Sequence, residues 1–476
     1  MRKIYKITLI IATGLALVAI FLFQDNWFSG LLFPLKIRTV QLVNLPANRL
    51  RFKVLVTTNK KAAVYLKYWS RGRKDTLYSD VSKDSLHHTL NITCTIANTD
   101  YTFEVIARSK TDSISSNRYP FETKPIYQAT PYFTLVSMDP SIQKEMEGKY
   151  FLTQILTQPG SMVIINHKGD IVWYEPFKKG VKVTNWTPHH TILSIVGSEK
   201  IPSSGGDEIV ETDLSGKMVR HFQLGKGGMD KMVHHEVRYD KDGNIYALTF
   251  DKKVFDLTKA KGLPRDTVHG DGIVVFNKSG RKIWEWSMLD HLDPLGDPLI
   301  LKHKKDWVHA NSLFKDTDGN FLISYRDLNQ VWKVDHKNGK VLWKLGEGGD
   351  FALKKDELFY SQHAAYFDSG HHLVMLDNGT KTGITREITF KIDEAGKKAE
   401  ALSIITLPKN YYTTAKGNAH AMAGNKMLFC LTDPRAFLIT NKQGKILWNV
   451  QVGGDPYRLE EIDGFLNYKP TDNDHN

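Results

Sequence analysis

The stretch Asn441-Lys-Gln-Gly-Lys-Ile-Leu-Trp448 recurs along the chain in five related versions and decides the fold. The other versions are Asn166-His-Lys-Gly-Asp-Ile-Val-Trp173, Asp213-Leu-Ser-Gly-Lys-Met-Val-Arg220, Asn277-Lys-Ser-Gly-Arg-Lys-Ile-Trp284, His336-Lys-Asn-Gly-Lys-Val-Leu-Trp343 and Asp393-Glu-Ala-Gly-Lys-Lys-Ala-Glu400. Each is a turn with a central glycine between two apolar strands, and successive glycines are 47 to 64 residues apart. Repeats of this length are typical of a β-propeller, in which one repeat forms one blade. Six versions therefore predict six blades, which we place at residues 130–460.

Two positions of the repeat are predicted to have structural roles. Glycine supplies a positive φ angle in the hairpin turn. Four of the six versions carry tryptophan four residues after the glycine. We expect these indole rings to pack between neighbouring blades rather than to bind a ligand.

Residues 38–124 precede the repeats and alternate apolar and polar side chains in short runs. Examples are Leu50-Arg-Phe-Lys-Val-Leu-Val56 and Tyr101-Thr-Phe-Glu-Val-Ile-Ala107. A segment of about 85 residues with this pattern predicts one β-sandwich. The strand at Tyr101 resembles the tyrosine-corner strand of fibronectin type III domains, which implies a structural role for that side chain. The chain is therefore predicted to be all-β, a six-bladed propeller preceded by a fibronectin III-like sandwich.

The N-terminus has the charge pattern of an export signal. Basic residues within the first six positions precede the uncharged apolar stretch Ile7–Phe23, which as a helix approaches the thickness of a bilayer core. No Ala-x-Ala cleavage site follows, so we interpret residues 1–25 as an uncleaved signal-anchor, with a cleaved signal peptide as the alternative. The positive flank stays in the cytoplasm. This predicts a body on the periplasmic side, anchored in the inner membrane, that ends in a polar tail at 461–476.

The composition excludes several classes of protein. The 476 residues are 41% apolar and 24% charged, which is ordinary for a globular protein and excludes a disordered chain. The net charge of +12 comes without a long basic block, and export also argues against a nucleic-acid partner. The two cysteines, Cys94 and Cys430, do not make a disulfide scaffold or a zinc site.

A second pattern runs in register with the hairpins, because the strand upstream of a hairpin opens with histidine. The five versions begin at His189, His234, His309, His363 and His420. The first strand of each propeller blade lines the central channel, so equivalent positions of successive blades converge at one mouth. We therefore expect several imidazoles to face one another there. Such a cluster indicates either a metal site or a site that handles an anion.

Arg326 favours an anion-binding site over a metal site. It follows the strand after His309 and is predicted to reach the same mouth, where a guanidinium weakens metal binding but holds the oxygens of a sulfuryl or phosphoryl group. Of the matching positions only Glu236 carries a carboxylate, and the chain has no phosphate-binding loop. We therefore predict no metal and no cofactor. One neutral histidine would attack sulfur or phosphorus, and a second would protonate the leaving oxygen.

At these residues the sequence resembles the bacterial aryl-sulfate sulfotransferases. The matching stretches are His234-His-Glu, His309-Ala-Asn-Ser, Ser324-Tyr-Arg326, Gln362-His-Ala-Ala-Tyr366, Leu376-Asp-Asn-Gly379 and Arg386-Glu-Ile-Thr-Phe-Lys-Ile-Asp393. The resemblance implies an exported six-bladed propeller that moves a sulfuryl group from an aryl sulfate to a phenol, without a nucleotide, through a sulfated histidine. Its partners would be these two small molecules. The family's short-range disulfide near the site has no counterpart in this sequence.

The resemblance also implies roles for single residues. His363 would be the nucleophile that becomes sulfated, with His234 and His309 beside it as acid/base and oxyanion partners. Arg326 would clamp the sulfuryl oxygens. Register with His309 favours His234 over its neighbour for the position that faces the channel, although a shift of one residue would exchange them. Four further residues are predicted to bind substrate: Asn311, His235, His420 and Tyr366.

Two other functions stay open on the sequence alone. A non-enzymatic propeller of the quinoprotein-like scaffold type would bind a ligand or a partner protein, but such a scaffold needs no channel histidines. A metal-dependent hydrolase or lyase would use the same imidazoles. About one bound metal ion per purified chain would favour that alternative.

Overall fold

Two units make up the structure, a computed structural model that describes residues 34–71, 76–110, 112–126, 132–198, 200–201, 204–463 and 465. The first unit comprises Met1–Ile126 with Gly464–Asn476, and the second comprises Tyr127–Asp463. The predicted signal-anchor and most of the predicted polar tail lie outside the described residues. Within the described ranges, no helix has the length and apolar character needed to cross a membrane.

The first unit is built from antiparallel strands. They are Ile37–Leu45, Asn48–Ser70, Leu77–Tyr78, Ser82–Ile92, Asp100–Arg108, Ser113–Ser115 and Tyr119–Glu122. The long strand Asn48–Ser70 organises the others, because its first half pairs with Ile37–Leu45 and its second half with Asp100–Arg108. Val54 and Val64, an even number of residues apart on this strand, are fully buried in the core. The fibronectin III-like arrangement of these strands stays a prediction.

Tyr101 makes the contact expected of a corner tyrosine. It is buried, and its hydroxyl accepts a hydrogen bond from the Ile96 amide at 2.9 Å. We expect Tyr101→Phe to destabilise the first unit by about 1–2 kcal/mol, because the amide loses its acceptor while the ring keeps its packing. Hydrogen-exchange mass spectrometry of the full chain would measure this as faster exchange in the first unit. Tyr119→Phe is the control, since no described residue bonds to that hydroxyl; equal effects would contradict the assignment.

The second unit is a six-bladed propeller, which confirms the number of blades predicted from the repeat. The strands of each blade, from the innermost outward, are as follows: blade 1 is Pro456–Ile462, Tyr150–Ile155, Gly160–Asn166 and Ile171–Phe177; blade 2 is Gly180–Trp186, Ile192–Gly197, Glu208–Thr212 and Met218–Gln223; blade 3 is Val233–Tyr239, Ile245–Phe255, Asp266–Phe276 and Lys282–Ser287; blade 4 is Ala310–Lys315, Phe321–Tyr325, Gln330–Val334 and Val341–Gly346; blade 5 is His363–Phe367, Leu373–Asp377, Arg386–Asp393 and Lys398–Thr406; blade 6 is Asn418–Met422, Lys426–Leu431, Ala436–Asn441 and Ile446–Val452.

Strands from both ends of this unit close the ring. Phe133–Met138 adds a fifth, outermost strand to blade 6, and the C-terminal strand Pro456–Ile462 becomes the inner strand of blade 1. The short strand Gly205–Gly206 pairs with the inner strand of blade 3. The helical segments are single turns between strands: Pro140–Ile142, Gln143–Met146, Thr258–Ala260, Met288–Asp290, Pro294–Gly296, Ile300–His303 and Lys409–Tyr411.

The repeated turns join the third and fourth strands of every blade. Five of the six glycines have a positive φ, whereas in blade 5 Gly396 does not, and the left-handed position there belongs to Lys397 at φ 49°. Two of the four repeat tryptophans tie blades together through their indole N–H groups. Trp173 of blade 1 donates to a carbonyl in the turn of blade 2, and Trp448 of blade 6 donates to a carbonyl in the turn of blade 1.

Candidate active site

Three inner strands begin with a bulge at the same mouth of the channel. The antiparallel register shifts at the start of the inner strands of blades 3, 4 and 5. In each case a non-glycine residue beside the shift has a positive φ, namely His235 at 55°, His309 at 49° and Ala364 at 54°. Bulges and left-handed residues cost free energy, re-aim side chains and are frequent at functional sites. In this channel they bring His235, His309 and His363 close enough for their charges to interact.

His363, the predicted nucleophile, is the first residue of the blade 5 inner strand and is buried. Its Nδ1 lies 2.6 Å from Oδ1 of Asn378, and its Nε2 accepts a hydrogen bond from the Lys416 amide at 3.2 Å. Nδ1 therefore carries the proton and Nε2 carries the lone pair. Burial lowers the pKa of His363 well below its ordinary value, and the charges of Arg458 and Arg326 lower it further. The imidazole is neutral, with a nucleophilic lone pair on Nε2.

Asn378 is a site residue that the sequence analysis did not single out, although it lies in the matching stretch Leu376-Asp-Asn-Gly379. It is fully buried, and its Nδ2 donates to the carbonyl oxygens of Thr413 and Lys416, at 3.1 Å each. These two bonds fix the orientation of the amide, so its Oδ1 faces His363. Asn378 therefore decides which nitrogen of His363 carries the proton.

His309 has the opposite electrostatic environment. Its Nδ1 lies 2.8 Å from Oδ2 of Asp306, three residues earlier. Burial acts to lower the pKa of His309, but the hydrogen bond and charge of Asp306, helped by the charge of Asp327, outweigh burial and raise that pKa above its ordinary value. Because Nδ1–H donates to Asp306, a protonated His309 presents its Nε2–H as a proton donor.

His235, rather than His234, lies toward the channel. The ring centroid of His235 is 5.0 Å from that of His309 and 6.1 Å from that of Tyr457 on the inner strand of blade 1. His234 stacks on Phe250 of the second strand of blade 3, with centroids 4.2 Å apart, and its Nδ1 is 2.7 Å from Nδ1 of His235. The prediction that His234 faces the channel assumes an unbroken strand, whereas the bulge that begins at His234 changes the register.

Arg326 lies at the same mouth. Its amide donates to the carbonyl of His309 at 3.0 Å, which holds it beside that imidazole. Its Nη1 pairs with Oδ1 of Asp327 at 2.7 Å, while its buried Nε has no hydrogen-bond partner in the part of the chain that the structure describes. An unpaired guanidinium N–H in this position is suited to an oxyanion.

Arg458 adds a second positive charge that the sequence analysis missed. It is 6% exposed, lies on the inner strand of blade 1 and donates to the carbonyl oxygens of Gly417 and Asn311. No carboxylate of a described residue lies within ion-pair distance of it, and its Nε is also without a partner there. The strand lies outside the repeats, so no pattern in the sequence pointed to this residue.

Asn311 ties two blades together. Its Nδ2 donates to the carbonyl of Gln362 at 2.7 Å, which links the inner strands of blades 4 and 5. Asn185 and Asn418 make the same kind of link from blades 2 and 6 to the following blade, at 2.8 Å each. The link uses one N–H of the side-chain amide of Asn311, a residue predicted from the sequence to bind substrate. A repeated asparagine therefore braces the ring of inner strands.

His420 and Tyr366 lie further along the channel. His420 is the third residue of its strand, and its ring stacks on Tyr366 with centroids 4.5 Å apart. Both line a cavity of about 70 Å³ that Arg238 and Arg458 also line. This is smaller than the cavity of about 150 Å³ known to hold benzene, so an aryl substrate does not fit it in this conformation. His189 lies in the turn after the inner strand of blade 2 and does not open that strand.

A larger pocket of about 400 Å³ lies beside Arg326. Trp307 and Leu328 contribute apolar surface to its wall, and Ser361 lies at its edge. Ser361 also accepts from the His363 ring through its carbonyl, at 3.1 Å from Nδ1. The pocket therefore offers space for an aromatic ring next to the residues of the channel mouth.

Over the described ranges, one group of side chains has ligand atoms close enough together to hold a metal ion. It consists of Asp316, His371 and Glu394, between blades 4 and 5, and does not include the channel histidines. The ammonium of Lys333 already lies among these carboxylates, 2.9 Å from Asp316 and 2.5 Å from Glu394. A cation of the protein itself thus neutralises this cluster.

The fold and the site define a class, a six-bladed propeller with histidines of lowered and of raised pKa and two arginines at one channel mouth. The family model described as arylsulfotransferase (ASST) matches residues 135–454. The chain therefore belongs to the arylsulfotransferase family.

Two curated relatives carry the name arylsulfate sulfotransferase AssT. The one from Escherichia coli O6:H1 is 24% identical over 308 residues, which is 53% of this chain and 50% of the relative. The one from Lelliottia amnigena is 21% identical over 313 residues, which is 55% of this chain and 51% of the relative. The match thus spans about half the length of each relative. A solved protein of unknown function from Bacteroides caccae is 10% identical, with a TM-score of 0.44 over 66% of this chain and 99% of that one, too weak a likeness to support an argument.

Proposed function

We propose that this chain transfers a sulfuryl group from an aryl sulfate to a phenol, with His363 carrying the group between them. The observation that supports this most is the contrast between two imidazoles at one channel mouth. His363 is buried and neutral with its lone pair on Nε2, whereas His309 is paired with Asp306 and has a raised pKa. Titratable groups whose pKa values are pushed apart in this way are suited to nucleophile and acid roles.

In the first half-reaction, Nε2 of His363 attacks the sulfur of the aryl sulfate. The S–N bond forms, the bond from sulfur to the aryl oxygen breaks, and the oxygen takes the Nε2 proton of His309. The Lys416 amide must give up its hydrogen bond to Nε2 as the donor binds. The sulfated imidazole keeps its Nδ1–H on Asn378, which stabilises the positive charge of the ring.

In the second half-reaction, the phenol oxygen attacks the same sulfur. Its proton passes to the neutral Nε2 of His309, the S–N bond breaks, and both histidines return to their starting states. The Nε–H groups of Arg326 and Arg458, which have no partner among the described residues, would stabilise the sulfuryl oxygens in both steps. The pocket beside Arg326 would take the aryl groups in turn, which predicts ping-pong kinetics.

The same proposal includes export and membrane anchoring through residues 1–25, supported by the basic and apolar pattern of that segment. A periplasmic location would give the enzyme access to aryl sulfates from outside the cell. Fractionation of cells that express the full chain would place the protein in the inner-membrane fraction, with the propeller open to protease added to the periplasm.

The test of the activity uses the purified full chain, 4-nitrophenyl sulfate and phenol, with no nucleotide. We expect nitrophenolate release that depends on phenol, formation of phenyl sulfate, and a transient mass increase of one sulfuryl group on the peptide that contains His363. 4-Nitrophenyl phosphate is the matched control for the group transferred. Release into water that phenol does not accelerate would contradict transfer, and absence of release from any simple aryl sulfate would contradict the proposed donor class.

A further inference from the structure

A buried carboxyl group lies behind the channel histidines. Asp271 is on the third strand of blade 3, and its Oδ2 accepts the Ala310 amide at 2.7 Å. Its Oδ1 is 3.3 Å from Nε2 of His234, whose Nδ1 is 2.7 Å from Nδ1 of His235. Three side chains thus form a line from the interior of blade 3 to the channel. The His235 Nε2 at the end of this line has no hydrogen-bond partner among the described residues.

The surroundings of Asp271 favour its protonated form. No Lys or Arg side chain within the described ranges lies at ion-pair distance from it. The groups that face it are His234, His309 and the more distant carboxylates of Asp306 and Asp327. Burial raises the pKa of Asp271 to about 8, because the Ala310 hydrogen bond and the charge of His309 compensate the buried negative charge only in part. The buried hydroxyl of Tyr325 is also near and does not hydrogen-bond to it.

We propose that Asp271 is a positioning residue which, through His234, makes His235 present an N–H to the sulfuryl oxygens. This inference rests on the proposed function, and it extends that function to a residue that touches neither substrate nor sulfur. The line can hold its protons in two arrangements, which differ in what His235 offers to the channel.

In the first arrangement Asp271 is protonated. Nε2 of His234 has no hydrogen-bond partner among the described residues, so Oδ1–H of Asp271, 3.3 Å away, can donate to it. Nδ1–H of His234 donates to Nδ1 of His235, and Nε2 of His235 keeps a proton as a donor to the channel. In the second arrangement Asp271 has lost its proton. Nε2 of His234 then carries a proton and donates it to the carboxylate, and the hydrogen bond between the two histidines reverses its direction. His235 then directs a lone pair at the sulfuryl oxygens, which repels them.

The first test compares Asp271→Asn with the wild type across pH. The Ala310 amide holds the Asn oxygen, so the Asn nitrogen faces His234 and keeps the first arrangement at every pH. We expect the turnover of Asp271→Asn to stay within about threefold of wild type at pH 7. Between pH 7 and pH 9 the ratio of variant to wild-type turnover should rise about tenfold, because only the wild type loses the N–H donor. Identical pH profiles would overturn the proposal.

Two further variants separate positioning from a general structural role. Asp271→Ala, once shown to be folded by circular dichroism, should lose about 10–100-fold in turnover, because nothing fixes the proton arrangement of His234. Glu387→Gln is the matched control. Glu387 is another buried carboxyl with a raised pKa, but it bonds to Thr389 and Ser403, away from the channel. It should leave the pH profile unchanged, and a change equal to that of Asp271→Asn would contradict the inference.

A readout without substrate keeps this inference distinct from the proposed function. Nitrogen chemical shifts of ¹⁵N-histidine-labelled full chain report which ring nitrogen is protonated. We expect the signals of His234 and His235 to exchange tautomers as pH rises through about 8 in the wild type and to stay constant in Asp271→Asn. If the tautomers exchange in a protein that has no sulfotransferase activity, the proposed function is rejected and the role of Asp271 in setting the tautomers is supported. If the signals do not respond to Asp271→Asn, only the role of Asp271 is rejected.

Discussion

His363→Ala should abolish sulfuryl transfer while the propeller stays folded. The neutral Nε2 of His363 is the nucleophile of the proposed mechanism, and alanine offers no atom that can form the S–N bond. We expect a loss of at least about 10⁴-fold in turnover, as removal of a covalent nucleophile does in other enzymes. The side chain is buried and its Nδ1–H is bonded to Asn378, so the change also costs about 1–3 kcal/mol of stability. Circular dichroism and the melting temperature would show that the fold survives this cost.

The matched control for this prediction is His221→Ala. His221 lies on the outer strand of blade 2, where its Nε2 is 2.8 Å from Oε2 of Glu208, and two strands of that blade separate it from the inner strand. It should retain full activity. The mass increase of one sulfuryl group should disappear from His363→Ala and persist in His221→Ala. Residual turnover above about 1% of wild type in His363→Ala would rule out a covalent role for this residue.

The repeat of the sequence was sufficient to predict the number of blades because each turn depends on local features. Five of the six copies keep a glycine with positive φ and four keep the tryptophan, which is enough to identify all six turns in the sequence. The closure of the ring could not be predicted from the sequence, because the strands Phe133–Met138 and Pro456–Ile462 contain no copy of the repeated turn. Each pairs with a strand from the other end of the unit. Lys397 also shows that a non-glycine residue can take the left-handed position.

The residues at the channel mouth were predictable in type but not in detail. The histidine pattern located His309 and His363, because both stand where an inner strand begins. The same pattern favoured His234 over His235 because it assumed an unbroken strand. The bulge that begins at His234 cannot be recognised in a single sequence. The pattern also could not reveal Arg458, whose strand belongs to blade 1 only through closure of the ring. A residue such as Asn378, which determines which nitrogen of His363 is protonated, is brought to the histidine by the pairing of strands. The spacing of residues along the sequence does not reveal that pairing.

His309→Gln should impair turnover to a degree that depends on the leaving group. Glutamine keeps a neutral N–H near the position of Nε2 but cannot transfer a proton, so the aryl oxygen must leave as an anion. With phenyl sulfate, whose phenolate is a poor leaving group, we expect a loss of about 10²–10⁴-fold in the rate of the first half-reaction. With 4-nitrophenyl sulfate the anion is stable without a proton, and the loss should be below about tenfold. Turnover of both donors under single-turnover conditions would measure this difference.

Asp306→Asn would test the same role through the pH profile. The wild-type enzyme requires protonated His309, so its rate with phenyl sulfate is present at low pH and is lost as pH rises through the raised pKa of His309. Asparagine removes the carboxylate that outweighs burial at this imidazole, so that pKa falls and the loss begins at a lower pH. With 4-nitrophenyl sulfate the two profiles should nearly coincide in the first half-reaction. A loss in His309→Gln that is equal for both donors, or an unchanged profile in Asp306→Asn, would remove His309 from the acid role, and the proton would then have to come from solvent in the mouth beside Arg326.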